Sequence, residues 1–183
     1  MSAAPGAATV PVWDPLVRIG HWTLAVSVLV AYATGEHAGA WHERIGYVAL
    51  AAAAVRIVWG FVGTAHARFR DFVPGPSALR AYTRALLAGR EPRHLGHNPL
   101  GGAWIVLMLS LVVAAGVTGW MLTGYGHHEA RMLEEAHEAL AGGLLAAAAV
   151  HVAGVAYESL RHAENLVRAM VTGRKRSPGP EDA

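Results

Sequence analysis

Four stretches of roughly twenty residues, each apolar enough to cross a lipid bilayer, govern what this chain can become. They cover 15–34, 41–61, 103–123 and 133–160. At about 1.5 Å of rise per residue, twenty helical residues extend ~30 Å, the thickness of the hydrocarbon core. Lipid offers backbone N–H and C=O groups no partners, so a span must satisfy them internally, as a helix does. Local signals agree for the first span: Asp14 stands where an N-cap belongs, Pro15 takes the first helical position and Gly35 follows the end. Beyond its first turn the second span is interrupted by one charge, Arg56, and Gly124 closes the third. With 54% hydrophobic and 15% charged residues, the 183-residue chain is too apolar for a soluble domain and long enough for one compact unit. The expected fold is all-α, an integral membrane four-helix bundle.

The flanks and loops set the orientation. Residues 1–12 lack a basic n-region and a cleavable pattern and are expected to be a disordered tail, leaving helix one in the mature protein. The bundle is expected over 13–162, followed by a basic tail over 163–183. Twelve of the fifteen Lys and Arg residues fall at the N-terminus (Arg18), between helices two and three (Arg68, Arg70, Arg80, Arg84, Arg90, Arg93) or at the C-terminus (Arg161, Arg168, Arg174, Lys175, Arg176). In a four-span chain those regions share one side, and the positive-inside rule makes it cytoplasmic, with both termini inside. The basic pI of about 9.3 therefore reports orientation, and no nucleic-acid motif accompanies it. Between helices two and three, Pro74 and Pro76 precede Ser77 as an N-cap, and Leu79, Tyr82 and Leu86 oppose Arg80 and Arg84. This reads as an amphipathic helix over about 77–88 on the cytoplasmic surface, or as a solvated basic loop.

Cysteine is absent, which excludes disulfides, thiolate chemistry, cysteine-held iron–sulfur clusters and covalent C-x-x-C-H haem attachment. Histidine is abundant, with eleven residues, and each one placed in a bilayer needs a reason. Four lie within or at the mouths of the spans: His21 in helix one, His42 in helix two, His137 and His151 in helix four. Fourteen residues separate the last two, so they share a helix face at depths ~21 Å apart. Helices two and four both enter from outside, which sets His42 level with His137; His21 and His151 match in the same way near the cytoplasmic side. Two histidines on opposing helices suit the two axial positions of a noncovalent haem. The competing reading, buried histidines satisfied by the core, fits one such residue more easily than four sorted into two levels.

Gly46, Gly142, Gly143 and Gly154 lie near the histidines, where small residues let a flat ring approach the backbone or simply allow close helix packing, as Gly116 and Gly119 do. Arg56, fourteen residues after His42, reaches the inner level and either pairs a haem propionate or snorkels to the interface. His42-Glu43 and His137-Glu138 lack the second histidine of H-E-x-x-H. A di-iron cluster is disfavoured because His37 and His42 face outward whereas His94 and His97 face the cytoplasm.

Several stretches carry a family resemblance: Val12-Trp13-Asp14-Pro15-Leu16-Val17-Arg18-Ile19-Gly20-His21-Trp22, Arg56-Ile57-Val58-Trp59-Gly60-Phe61-Val62-Gly63, Gly96-His97-Asn98-Pro99-Leu100-Gly101-Gly102 and Glu164-Asn165-Leu166-Val167-Arg168-Ala169-Met170. The chain resembles the prokaryotic cytochrome b561 family, which is similar to the b-type cytochrome subunits of nickel–iron hydrogenases. The resemblance implies two b haems stacked across a bacterial inner membrane, reaction with quinone, and His21, His42, His137 and His151 at the ligand positions. Family members differ in electron donor, and some oxidise superoxide. Two functions therefore remain open: a relay between a redox partner and the quinone pool, or a superoxide:quinone oxidoreductase at the periplasmic face. The outer segments 35–40 and 125–135 carry Glu36, Glu129, Glu134 and Glu135 against Arg131, a net of three negative charges. That face repels superoxide and attracts basic proteins, which favours a relay serving a basic soluble cytochrome or a dehydrogenase or hydrogenase subunit. His94, His97 and Asn98 are the candidates for a quinone pocket.

Overall fold

The computed structural model describes residues 8–35, 39–124, 130–180 and 182. Strand β1 (Thr9–Pro11) precedes α1 (Pro15–Thr34) and α2 (Ala40–Val62). Next come the short α3 (Phe69–Phe72), α4 (Pro76–Leu87), α5 (Pro99–Leu122), α6 (Arg131–Arg161), α7 (Leu166–Thr172) and β2 (Arg174–Arg176). The helices α1, α2, α5 and α6 are each long and apolar enough to cross a membrane. Their outer faces present large apolar side chains such as Ile19, Leu29, Val58, Phe61 and Val152, as a lipid-facing surface requires.

The contacts between helices rest on small residues at heptad spacing. On α2 the buried stripe is Ala49, Ala53, Arg56 and Gly60, and stepping back by three and then four residues adds Gly46 and His42. Ala53 packs into a cluster with Leu109, Val112 and Leu144, flanked by Leu24 and Val28 of α1. Helix α1 packs along α2, α2 along α5, and α5 along α6, with no comparable packing of α1 on α6. Among the described residues no large side chain is fully buried.

Local chemistry moves several expected boundaries. Asp14 caps α1, its Oδ1 accepting from the Val17 N–H at 2.9 Å. α5 starts one turn before the expected 103, because Asn98 accepts from the Gly101 N–H at 2.7 Å and Pro99 follows it as the first helical residue. Gly102 must then lie against the Phe72 backbone, where a side chain has no room. The N-cap of α4 is Gly75, with Pro76 at the first helical position, so Ser77 lies inside the helix and the expectation that it caps it is corrected. Tyr82 of α4 turns inward while Arg80 and Arg84 stay exposed.

Both ends of the chain are more ordered than the sequence reading expects. Residues 9–11, assigned to a disordered tail, form β1 and pair antiparallel with β2, Thr9 opposite Arg176 and Pro11 opposite Arg174. Residues 163–183, assigned to a basic tail, contribute α7 and β2. Gly173 makes the join: its φ of +79° and the nearness of the Trp13 carbonyl exclude a side chain. Lys175 points inward, its Nζ donating to the carbonyls of His94 (3.1 Å) and Leu95 (3.0 Å).

Candidate functional site

The helix order brings the four histidines together two by two. The His42 and His137 rings stand 6.0 Å apart between centroids, at an interplanar angle of 87°. The His21 and His151 rings stand 6.3 Å apart at 52°. On α6 the two levels are fourteen residues, or ~21 Å, apart. The two imidazole faces thus meet across the bundle at two depths.

Hydrogen bonding selects the tautomer of the outer pair. His42 Nδ1 lies 2.9 Å from the Ala31 carbonyl, one of the last carbonyls of α1 that the helix itself leaves free. His137 Nδ1 lies 2.9 Å from the Ala115 carbonyl and 3.1 Å from the Thr118 hydroxyl. A carbonyl can only accept, so each Nδ1 carries the proton and each Nε2 keeps its lone pair free to bind a metal. Gly119 gives His137 its space, since a Cβ there would come within 3.0 Å of the imidazole Cε1. At the other level His21 packs edge-on against Trp22 at 5.0 Å, and its buried Nδ1 has no partner among the described residues. Sequence reasoning missed these carbonyl and hydroxyl partners. Thr118 sits in the third span, where no histidine drew attention to it.

These pairs fit haem ligation. Two imidazoles bound on opposite sides of one metal, each nitrogen about 2 Å from it, hold their centroids about 6 Å apart. Gly20, Gly46, Gly142, Gly143 and Gly154 all have open space where a Cβ would project. Among the described residues no three His, Asp or Glu side chains gather into a metal-ion cluster.

Arg56 lies on the α2 stripe that begins at His42, and is only 7% exposed. Its guanidinium carbon sits 5.6 Å from the Phe69 ring centre and 5.5 Å from that of Phe72. Among the described residues its buried Nη1 has no hydrogen-bond partner. Asp14 makes no hydrogen bond to it among the described residues, its oxygens accepting from the Val17 N–H, the Trp59 indole N–H at 3.0 Å and the Thr64 hydroxyl. A desolvated cation in this condition calls for an anion.

The three quinone candidates separate. Asn98 caps α5 and donates from Nδ2 to Glu158 at 2.8 Å. His94 donates from Nδ1 to the Pro92 carbonyl and stands edge-on to Tyr82 at 5.4 Å. His97 lies between Trp13 (4.5 Å) and Phe72 (4.9 Å). Burial, then the positive charges of Arg56 and Lys175, push it down to about 3, so it is neutral at physiological pH. At the end of the bundle expected to face outward, Glu36, His37 and Glu129 lie outside the described residues, Glu134 is exposed, and Glu135 pairs with Arg131 at 2.9 Å.

Comparison with known proteins gives this arrangement a family. Among curated relatives, a probable Ni/Fe-hydrogenase B-type cytochrome subunit of Bradyrhizobium diazoefficiens is 30% identical over 151 residues, covering 67% of this chain and 61% of its own. Proteins of the same name from Azotobacter vinelandii (29% over 147 residues; 63% and 60%) and Rhizobium leguminosarum bv. viciae (28% over 148 residues; 64% and 61%) match similarly. The chain thus spans about three fifths of the length of these relatives. No solved structure matches it. The family model for prokaryotic cytochrome b561 matches residues 12–173. That match takes in all four long helices and both histidine pairs, and on that extent the chain belongs to the prokaryotic cytochrome b561 family.

Proposed function

We propose that this multi-pass membrane protein is a dihaem cytochrome b that relays electrons across the bacterial inner membrane between a redox partner and the quinone pool. His21 and His151 hold the inner haem b, His42 and His137 the outer one. The observation that carries this reading is the meeting of two imidazole pairs, at 6.3 Å and 6.0 Å, at two depths of one bundle. Haem b held by two imidazoles supplies one-electron redox chemistry with no vacant site for oxygen.

The chain's own residues do the rest. The carbonyls of Ala31 and Ala115 orient the outer imidazoles and raise their basicity as ligands. Arg56, with its unpartnered Nη1, takes an inner haem propionate as its missing anion. The arginines between α2 and α5 and beyond α6 set both termini on the cytoplasmic side. The relatives' names support a hydrogenase subunit as the redox partner, and the exposed Glu134 suits a basic soluble cytochrome. Quinone as the membrane-side substrate rests on the family resemblance.

The test uses proteoliposomes containing a ubiquinone, with a membrane-impermeant reductant supplied at the outer face. Wild type should reduce the quinone. His21→Ala should lose that reaction while its outer haem remains reducible. Unchanged quinone reduction in His21→Ala would contradict a relay through the inner level.

A further inference from the structure

Beyond His151 the same face of α6 carries a carboxylate. His137, Leu144, His151 and Glu158 recur at intervals of seven, so Glu158 lies on the His151 face ~10 Å nearer the cytoplasmic end. It is enclosed, with 18% of its side chain exposed. Its Oε1 accepts from the Tyr82 hydroxyl of α4 and from Asn98 Nδ2, both at 2.8 Å. Its Oε2 lies 3.3 Å from Nε2 of His162, one turn further out and 12% exposed. That Nε2 is buried and not aligned for a hydrogen bond, so a small rotation of the ring makes or breaks the link.

Neighbouring buried carboxylates are paired differently. Glu91 has Arg161 at 2.9 Å, and Glu164 has Arg93 at 2.8 Å and Lys175 at 3.8 Å. These cations keep their charge at physiological pH and make fixed latches. Among the described residues the basic group within ion-pair distance of Glu158 is His162, whose imidazole can both accept and donate a proton. The remaining groups around Glu158 do not replace it. Burial and the bond to Glu158 push the Tyr82 phenol far above its usual range, so it stays a donor. Glu91, Tyr157 and Lys175 lie nearby and make no hydrogen bond to Glu158 among the described residues.

We infer that Glu158 and His162 are the proton-transfer pair through which a quinone bound at the cytoplasmic end of the bundle exchanges protons with the cytoplasm. The inference rests on the quinone-linked reading above. Quinone becomes quinol by taking two electrons from the relay and two protons, one on each oxygen. Each proton passes from water to His162, from its Nε2 to Glu158 Oε2, and from that carboxyl to a quinone oxygen, where an O–H bond forms as the Glu158 O–H bond breaks. Quinol oxidation runs the same path in reverse. Tyr82 and Asn98 hold Oε1 and leave Oε2 free for the proton.

The test is single-turnover oxidation of the fully reduced, haem-loaded protein by a short-chain ubiquinone analogue, in H2O and D2O. Glu158→Gln should slow it by about a hundredfold, as should His162→Asn, while Glu158→Asp recovers most of the rate. Haem content and absorption spectra should stay as in wild type. The quinone-induced infrared difference spectrum should contain a carboxylic acid C=O band that Glu158→Gln abolishes. Should Glu158→Gln bind haem poorly, the His162→Asn rate and the wild-type infrared band decide. Wild-type rates and isotope effects in both variants, with quinone-reactive wild type, would overturn the relay alone. A wild type that quinone does not oxidise would overturn the quinone reading and the relay with it.

Discussion

Replacing His42 or His137 with alanine should cost the protein its outer haem and leave the inner one, and replacing His21 or His151 should do the reverse. The expectation follows from the pairing of rings, since each level has one imidazole from the α1–α2 side and one from α6. With one imidazole gone, a haem keeps a single protein ligand and a hydrophobic cleft, so the expected effect is near-complete loss of one haem per chain or conversion to a high-spin centre. Redox titration resolved by absorption band, run on all four variants, checks it. Two variants should group together at each level. Loss of the same haem from His42→Ala and His151→Ala would break the assignment.

The second large effect concerns the cap that α7 and β2 form with the segment before α5. Arg93 is 4% exposed and grips Glu164 with two bonds, Nη2 to Oε1 at 2.8 Å and Nε to Oε2 at 3.1 Å. It also bonds Asp182 and donates to the Arg176 carbonyl at 2.8 Å. Arg93 thus ties the segment before α5 to α7 and β2. Arg93→Met leaves the buried Glu164 carboxylate with the Arg176 N–H at 2.8 Å and Lys175 at 3.8 Å, and should destabilise the protein by about 3 kcal/mol. Thermal denaturation in detergent should show a melting point lower by several degrees; an unchanged one would contradict the account.

This cap also predicts a pH dependence. Burial opposes ionisation of Glu164, but hydrogen bonds from Arg93 and the Arg176 N–H hold its carboxyl below the usual range. A depressed folded value means the stabilisation is complete above the ordinary carboxyl value of about 4.3 and is lost as pH falls through the lower folded value. Arg93→Met should flatten that acid limb of the stability profile.

The long helices were legible because the bilayer dictates their length and composition, and Asp14-Pro15 marks the start of α1 in both sequence and structure. The histidine pairs were legible for a related reason. Alternating span direction converts sequence position into depth, so residues far apart in the chain could be matched by level. What sequence could not supply were contacts that depend on tertiary approach. Strands of three residues carry almost no periodicity, and β1 meets β2 across most of the chain. Asn98 reads as a loop residue until Pro99 is seen to start α5. Phe69 and Phe72 gain meaning only when α3 folds them over Arg56. The Ala31 and Ala115 carbonyls could not be singled out, because every residue has one.

The central claim is that this chain places two bis-histidine haem sites at two depths of one membrane bundle. Its most direct test is haem content and spin state on the purified full chain, by acid extraction and pyridine haemochrome against protein mass, with low-temperature spin-resonance spectra. The account predicts close to two noncovalent b haems per chain, both low-spin and six-coordinate. One haem per chain, or a high-spin centre at either level in the wild type, would contradict it.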